Sequence, residues 1–600
     1  MFSPGLRIVL LLSSAVSLTL ASIAQPPPPQ AQPTLAETAA TAPGAILKTT
    51  TRMVTLEIVV KDHKGQHVTG LKPDDFQIFE QTPAKSKEKQ EQKIAAFHEV
   101  SVADLAKQAG PQRRLLTGVN TNAVSAQKNP VPPTILLMDG LNTDVQYQLR
   151  VHAQSVKMLA QLPSDIPVAV FLLGFKLQMV QDFTSDPKLL HAAVMTAVSA
   201  AGHDFAQTNP MAPYEFTGAG SSSAGPAGPS IGDLRSSAFK GPLPDLSGPA
   251  QDIFRQLDRF QTAIYRGQMD VRVRLTANAL TAIAQHVSGY PGRKNLLWLS
   301  TAFPICVEPA MDATKNHVYN RQIEPVANAL SDAKIAVYPI NSAGVRSPAV
   351  YDVSAPPPPS PQQLLYAQYR ELEVQNRELD TMQLMADGTG GEVCTGDNDI
   401  ADCVHRTVDD SSHFYEIAYY PYSKDWNGEY RRIVLNTKNK DWHLEYRQGY
   451  FAAPEEDRKT TGVRAALKRA ACEGPLDATS ILLTAKSLPP DSPSALKFNL
   501  DIAASTLTFT PTKDGANEVN LQLAVCTFDK KGNPDQFMSI PLDRKLTESE
   551  MQRVTASGIE DIAAVPGPSP ASLRLAVMDV PSGRIGSLRI VLDDNMQLPR

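Results

Sequence analysis

Ile135-Leu136-Leu137-Met138-Asp139-Gly140-Leu141-Asn142-Thr143 is the stretch on which the reading of this chain turns. Four apolar residues in succession fit a strand buried on both faces. Asn142 to Asp144 then offer N-cap chemistry, and Val145, Leu149, Ala153, Val156 and Ala160 recur at helical spacing. A strand that runs through a tight polar loop into a helix is one unit of a layered α/β sheet.

Three further apolar runs lie outward from it: Val168 to Gly174, Leu296 to Leu299 and Ile335 to Ile340. Before the second of these, Val273, Thr276, Leu280, Ile283 and Val287 form another helical stripe, closed by Gly289 and Pro291. Alternation of strand and helix implies parallel pairing. The expected fold class is therefore α/β, a doubly wound, mostly parallel sheet flanked by all-β domains.

Six hundred residues exceed what one core organises, and 48 prolines concentrate in linkers, so several domains are expected. Residues 1–24 read as a signal peptide: Arg7 gives a positive start, Ile8 to Leu20 a short apolar core, and Ser22-Ile23-Ala24 a small-residue cleavage site. Residues 25–52 form a disordered Pro/Ala/Thr-rich linker. A β-rich N-terminal domain is expected over 53–128, from the alternation Val54, Leu56, Ile58, Val60 and the stretch Phe76 to Phe79. The α/β domain takes 129–452, with a flexible Gly/Ser/Pro insertion at about 204–250 and β-strands at its C-terminal end. A linker at 453–461 leads to a C-terminal β-sandwich over 462–600.

A net charge of −5 over this length gives no strong field, which argues against nucleic acid and anionic membrane as partners. Once the signal is removed, no segment is long and apolar enough to span a bilayer. Of five cysteines, Cys394 and Cys403 bracket a short loop and form the natural disulfide; two unpaired thiols are the alternative. An odd count leaves at least one cysteine without an internal partner.

The loop after Met138 is the one candidate site. Asp139, Asn142 and Thr143 are hard oxygen donors suited to Mg²⁺ or Ca²⁺, at the carboxyl end of a strand where open sheets bind ligands. The competing role for the same three residues is to cap the following helix and hydrogen-bond neighbouring amides. Other motifs are weaker. His63 and His67 flank a hairpin turn, which denies them helical zinc geometry. Gly388-Thr389-Gly390-Gly391 lacks a P-loop ending and reads as a turn, and the serines of 220–225 lack a nucleophile elbow. Phe414, Tyr415, Tyr419, Tyr420, Tyr422 and Trp426 read as a sheet core and its rim, with carbohydrate or peptide binding as the other use.

In order along the chain, Val68-Thr69-Gly70-Leu71, Asp139 with Leu141-Asn142-Thr143, Gln181 to Asp186, Leu297-Trp298-Leu299-Ser300, Tyr338-Pro339-Ile340, Thr389-Gly390-Gly391, Tyr419-Tyr420-Pro421 and Tyr446 to Phe451 resemble the von Willebrand factor A-related domain proteins abundant in Acidobacteria. The resemblance covers about Thr51 to Ala452. It implies an exported protein and no established activity; the Asp139 loop itself resembles the metal-ion-dependent adhesion site of the broader von Willebrand factor A family, of which Asp139 matches the aspartate and Thr143 stands for the second serine. Leu141 occupies the first serine's place and Ser300 that of the distant aspartate, so the site is degenerate. The expectation is an exported, non-enzymatic adhesion-type protein that binds an unknown protein ligand, requires no cofactor and holds Mg²⁺ or Ca²⁺ weakly if at all. A secreted hydrolase with an unrecognised active site and a structural envelope component are the alternatives.

Overall fold

The computed structural model describes residues 53–101, 119–122, 132–207, 270–301, 320–342, 382–452 and 460–592 apart from short breaks, together with 267 and 365. The signal-like segment, the first linker, most of the 204–250 insertion, Cys306, the Pro356–Pro359 run, most of the Gln362 to Ala386 stretch and the 453–459 linker lie outside them.

Strands β1 (Val54–Lys61), β2 (Phe76–Gln81), β3 (Gln90–Gln92) and β4 (Ile94–Ser101) open the described chain, and β5 (Val119–Thr121) follows separately. A mixed sheet then takes β6 (Thr134–Asp139), β7 (Val168–Leu173), β8 (Leu177–Thr184), β9 (Lys294–Ser300) and β10 (Ile335–Asn341) in the order β10-β9-β6-β7-β8. Pairing is parallel from β10 to β7 and antiparallel between β7 and β8. The β7–β8 connection is only Gly174 to Lys176, too short for a parallel crossover. One face of this sheet is covered by α1 (Val145–Gln161), α2 (Pro187–Gln207) and α6 (Ala401–Asp410). The other is covered by α3 (residues 270–287), α4 (Asn320–Asp332) and α5 (residues 382–389). Burial on both faces is why β6, β7 and β9 have no exposed position.

The other four sheets are antiparallel throughout. This overturns the expected fold class: the chain is mostly β, in several small antiparallel sheets, and a doubly wound, mostly parallel sheet does not describe it. Parallel pairing is confined to β6, β7, β9 and β10, whereas the strands of the flanking antiparallel sheets make up most of the described strand residues.

The expected boundary at 128/129 also gives way. Strands β11 (His413–Tyr419), β12 (Tyr430–Thr437), β13 (His443–Glu445) and β14 (Gly449–Phe451), placed by sequence at the end of the central domain, pair with β1 to β4. The two resulting sheets, β13-β1-β11-β4 and β14-β12-β2-β3, enclose one core that includes Leu56, Ile58, Ile78, Ile417, Tyr419 and Ile433. Inside it Glu80 accepts from the hydroxyls of Tyr419 and Tyr450, each at 2.8 Å. Phe414, Tyr415 and Tyr419 are buried, while Tyr420 and Tyr422 are exposed.

Residues 460–592 fold as α7 (Thr460–Lys468), a π-helical turn (Arg469–Glu473), strands β15 (Leu483–Leu488), β16 (Ala495–Ile502), β17 (Thr510–Pro511), β18 (Asn517–Phe528) and β19 (Pro534–Leu546), helix α8 (Glu548–Ser557), and strands β20 (Ile559–Pro566), β21 (Ser572–Asp579) and β22 (Ile585–Val591). One of its sheets, β20-β16-β15-β5, takes its last strand from residues 119–121. The buried Asn122 amide fixes that strand by donating to Ala478 O and Ile481 O and accepting from Leu483 N. Thr479 caps the C-terminal end of α3, its Oγ1 donating to His286 O at 2.7 Å and accepting from Gly289 N at 2.8 Å. A disulfide joins Cys472 to Cys526.

Where the first sandwich meets the amino ends of β9 and β10, charged groups are buried together. Lys61 donates to Asp410 and, at 3.0 Å, to Glu445; Arg293 donates to Tyr338 Oη at 3.2 Å; Lys334 donates to Glu416 at 2.7 Å. Burial, with Glu445 beside it, raises the Asp410 carboxyl above its usual range. Removing one partner of such a set leaves uncompensated buried charge, which costs about 3–5 kcal/mol. Lys61→Met should therefore lower stability by about that amount in urea unfolding at pH 7, and a loss under about 1 kcal/mol would mean that water reaches Asp410 and Glu445.

Candidate functional site

The carboxyl ends of β6, β9 and β10 converge on Asp139. Its carboxylate is fully buried and committed to its own chain: Oδ1 accepts from Asn142 N at 2.9 Å, and Oδ2 accepts from Asn142 Nδ2 at 2.8 Å and from the Trp298 indole N–H at 2.9 Å. Register explains the last contact, since Leu137 on β6 lies beside Trp298 on β9. A tryptophan on a strand buried on both faces needs an acceptor for its N–H, and the carboxylate ending the neighbouring strand supplies one.

Asn142 extends the hub. Its amide also donates to Thr276 Oγ1 on α3 at 2.9 Å, and its carbonyl accepts from Thr301 Oγ1 at 3.4 Å. Gly140 N and Leu141 N both donate to Leu173 O, carrying the β6–β7 ladder past the strand end. Ser342 N donates to Ser300 O at 2.9 Å, which draws the end of β10 to that of β9. Cys394, bridged to Ile340 in parallel, is disulfide-bonded to Cys403 on α6.

The three candidate metal ligands are thus adjacent, but they face inward and are differently employed. Leu141, at the position where the related site has a hydroxyl, is buried in the apolar core. Asn142 Oδ1, Thr143 Oγ1 and Ser342 Oγ are buried with no hydrogen-bond partner among the described residues. Free donors to a cation are therefore neutral oxygens, while the single carboxylate already accepts hydrogen bonds from Asn142, Trp298 and Ser300. A divalent ion that takes six or more oxygens fits such a set poorly. Among the described residues, no group of three or more His, Cys, Asp or Glu could hold a metal. His63 lies within the Asp62–Gly65 turn and His67 beyond it, and the ring of His67 meets Asp409 rather than His63.

Sequence reading missed Trp298, Thr276 and Ser342 as members of the hub, and Cys472–Cys526 as a disulfide. The tryptophan's need for an acceptor was a usable signal. Nothing local in the sequence ties Thr276 to Asn142, or joins two cysteines 54 residues apart.

No protein-family model matches the chain, and no curated protein matches it. Among solved structures, an aerotolerance-related membrane protein from Bacteroides fragilis NCTC 9343, carrying multiple mutations to serine, is similar at 11% identity and a TM-score of 0.21. The likeness covers 46% of this chain and 98% of that one. At that level it carries no argument about function.

Burial raises Asp139 to about 6 against the hydrogen bonds that favour its charged form. A carboxyl raised in the folded state adds stability that is complete below its unfolded value near 4 and lost as pH climbs through about 6. Asp139→Asn replaces one acceptor oxygen by a donor and should cost about 1–3 kcal/mol at pH 7. Only the wild type gains the contribution of Asp139 between pH 6.5 and pH 4.5, so the gap should widen on acidification. Denaturant unfolding at the two pH values checks this; a constant gap would mean that Asp139 stays in one protonation state throughout.

Proposed function

We propose that this chain is an exported binding protein of the von Willebrand factor A-related kind, which offers the loops at the carboxyl ends of its mixed sheet to a protein ligand and needs no cofactor to do so. The observation that carries this reading is the internal commitment of Asp139. A carboxylate that holds an indole, a side-chain amide and a backbone amide fixes where the loops after β6, β9 and β10 leave the sheet, and a preset loop origin lowers the ordering cost of binding. Ligands of open α/β sheets collect at this end of the strands. Beside it, Leu149 stands 77% exposed near the start of α1, an apolar contact on offer to a partner.

Two disulfides support export, since such bonds persist in oxidising compartments. Among the described residues no helix is long and apolar enough to cross a membrane.

Two measurements test the proposal. Millimolar Mg²⁺ or Ca²⁺ should leave the melting temperature of the intact protein where chelator leaves it, within about 1–2 °C; a rise of several degrees that Asp139→Asn abolishes would assign the hub to metal binding. With a photo-crosslinking residue at Leu149, a partner from envelope extract should be captured that the same residue at Lys513, on a distant exposed hairpin, does not capture. Equal capture at both positions would remove the strand-end surface from the reading.

A further inference from the structure

Lys61, Asp410 and Glu445 form a set with one member more than an ion pair requires. The ammonium group of Lys61 lies in direct contact with Asp410 Oδ1 and 3.0 Å from Glu445 Oε1. The Asp410 side chain has no exposed surface, and those of Lys61 and Glu445 have little. By contrast, the pairs of Lys334 with Glu416, Lys438 with Asp75 and Lys545 with Asp514 all keep solvent on both side chains. One buried cation therefore faces two buried carboxylates, and Glu445 Oε2 has no hydrogen-bond partner among the described residues. Burial, with Glu445 beside it, favours the protonated form of Asp410. Tyr338 Oη donates to Asp410 Oδ2 at 3.5 Å and itself accepts from Arg293 at 3.2 Å. An amine, a carboxyl that holds a proton, a carboxylate to carry one, and a hydroxyl on the second carboxyl oxygen are the parts that amide formation needs.

We propose that Lys61 and Asp410 condense in the folded chain to an amide between their side chains, with Glu445 as the catalytic acid and base. A proton first passes from Lys61 Nζ to Asp410 Oδ1, which leaves a neutral amine against a neutral acid. Nζ then attacks Cγ while Glu445 takes a proton from the nitrogen. Negative charge gathers on Oδ2, where the Tyr338 hydroxyl, polarised by Arg293, stabilises it. Glu445 returns its proton to Oδ1; the Cγ–Oδ1 bond breaks, water leaves, and the carbonyl re-forms on Oδ2. No oxidant or other reactant is consumed. In open water the separate ions are favoured because water solvates both, whereas here burial withholds that solvation and condensation removes both charges. Holding amine and acid in contact is worth an effective concentration of about 10⁵–10⁸ M. The product fastens the end of β1 to the end of α6, 349 residues away, and makes the junction of the first sandwich with the mixed sheet covalent.

Mass spectrometry of the whole protein, denatured, reduced and alkylated, tests the bond. The wild type should weigh one water less than the chain bounded by its observed terminal peptides. Trypsin should leave residues 53–64 joined to residues 407–424 and uncut after Lys61. Glu445→Gln keeps the shape of the side chain but not its proton transfer; it should show the full mass of its sequence and release the two segments unjoined. Lys61→Met and Asp410→Ala should do the same. A wild-type chain of full mass, cut by trypsin after Lys61, would overturn the proposal without recourse to any variant. So would a lost water that maps to other residues, or a Glu445→Gln chain joined as completely as the wild type. None of these outcomes bears on the strand-end binding surface, which the crosslinks from Leu149 address separately.

Discussion

The buried charge set around Lys61 is the constraint from which the arrangement of this protein follows. Lys61 closes β1, Glu445 closes β13, and Asp410 closes α6, so one ammonium group is satisfied only when three segments distant in sequence meet. Tyr338 and Arg293 continue the set into β10 and β9, and Arg293 reaches the carbonyl of Gly390. There the chain makes the turn that only glycine allows: Gly390 has φ near +77°, and a Cβ on Gly391 would lie 2.0 Å from Val337 O. Lys294, at the same end, donates to Gly292 O and Ala333 O, and its burial near Lys334 brings it down to about 7. Such a set is expensive to desolvate, and its value lies in admitting one arrangement of sandwich and sheet.

With the amino ends of the parallel strands held in this way, the opposite end of the sheet is the place where loops can vary. The lengths of the strands separate the two ends by roughly 20 Å. The Asp139 hub does at the carboxyl ends what the Lys61 set does at the amino ends, but with one charge and neutral partners. An anchored base and braced loop origins form a frame on which loop segments change at little cost to the fold.

Much of this was legible in the sequence, for reasons particular residues make plain. Runs such as Ile135 to Met138 and Ile335 to Ile340 fit strands buried on both faces, and β6 and β10 are such strands. Of Gly388-Thr389-Gly390-Gly391, expected as a turn, Gly390 makes it, while Gly388 and Thr389 end α5. The overall class was not, because period-two alternation announces a strand without naming its partner: Val54 to Val60 give no hint that Tyr415 to Tyr419 lie beside them. For the same reason Val119-Asn120-Thr121 showed no sign of belonging to a sheet that starts some 360 residues later. At the hub, the residue types allowed both a cation and a hydrogen-bonded brace, and the part that Trp298 plays in the brace is a fact of register that the sequence does not show.

The borrowed strand β5 bears on how the chain can be made. Synthesis delivers residues in order, so Val119 to Asn122 emerge long before the strand that will receive them, and β1 likewise waits for β11. Neither sandwich can close until most of the chain has arrived, a topology of very high contact order that predisposes to slow folding. Unpaired edges exposed during that interval invite association. Access to a holding chaperone, one that shelters extended early segments until the C-terminal third appears, would therefore limit the yield of this protein more than the stability of its finished fold would.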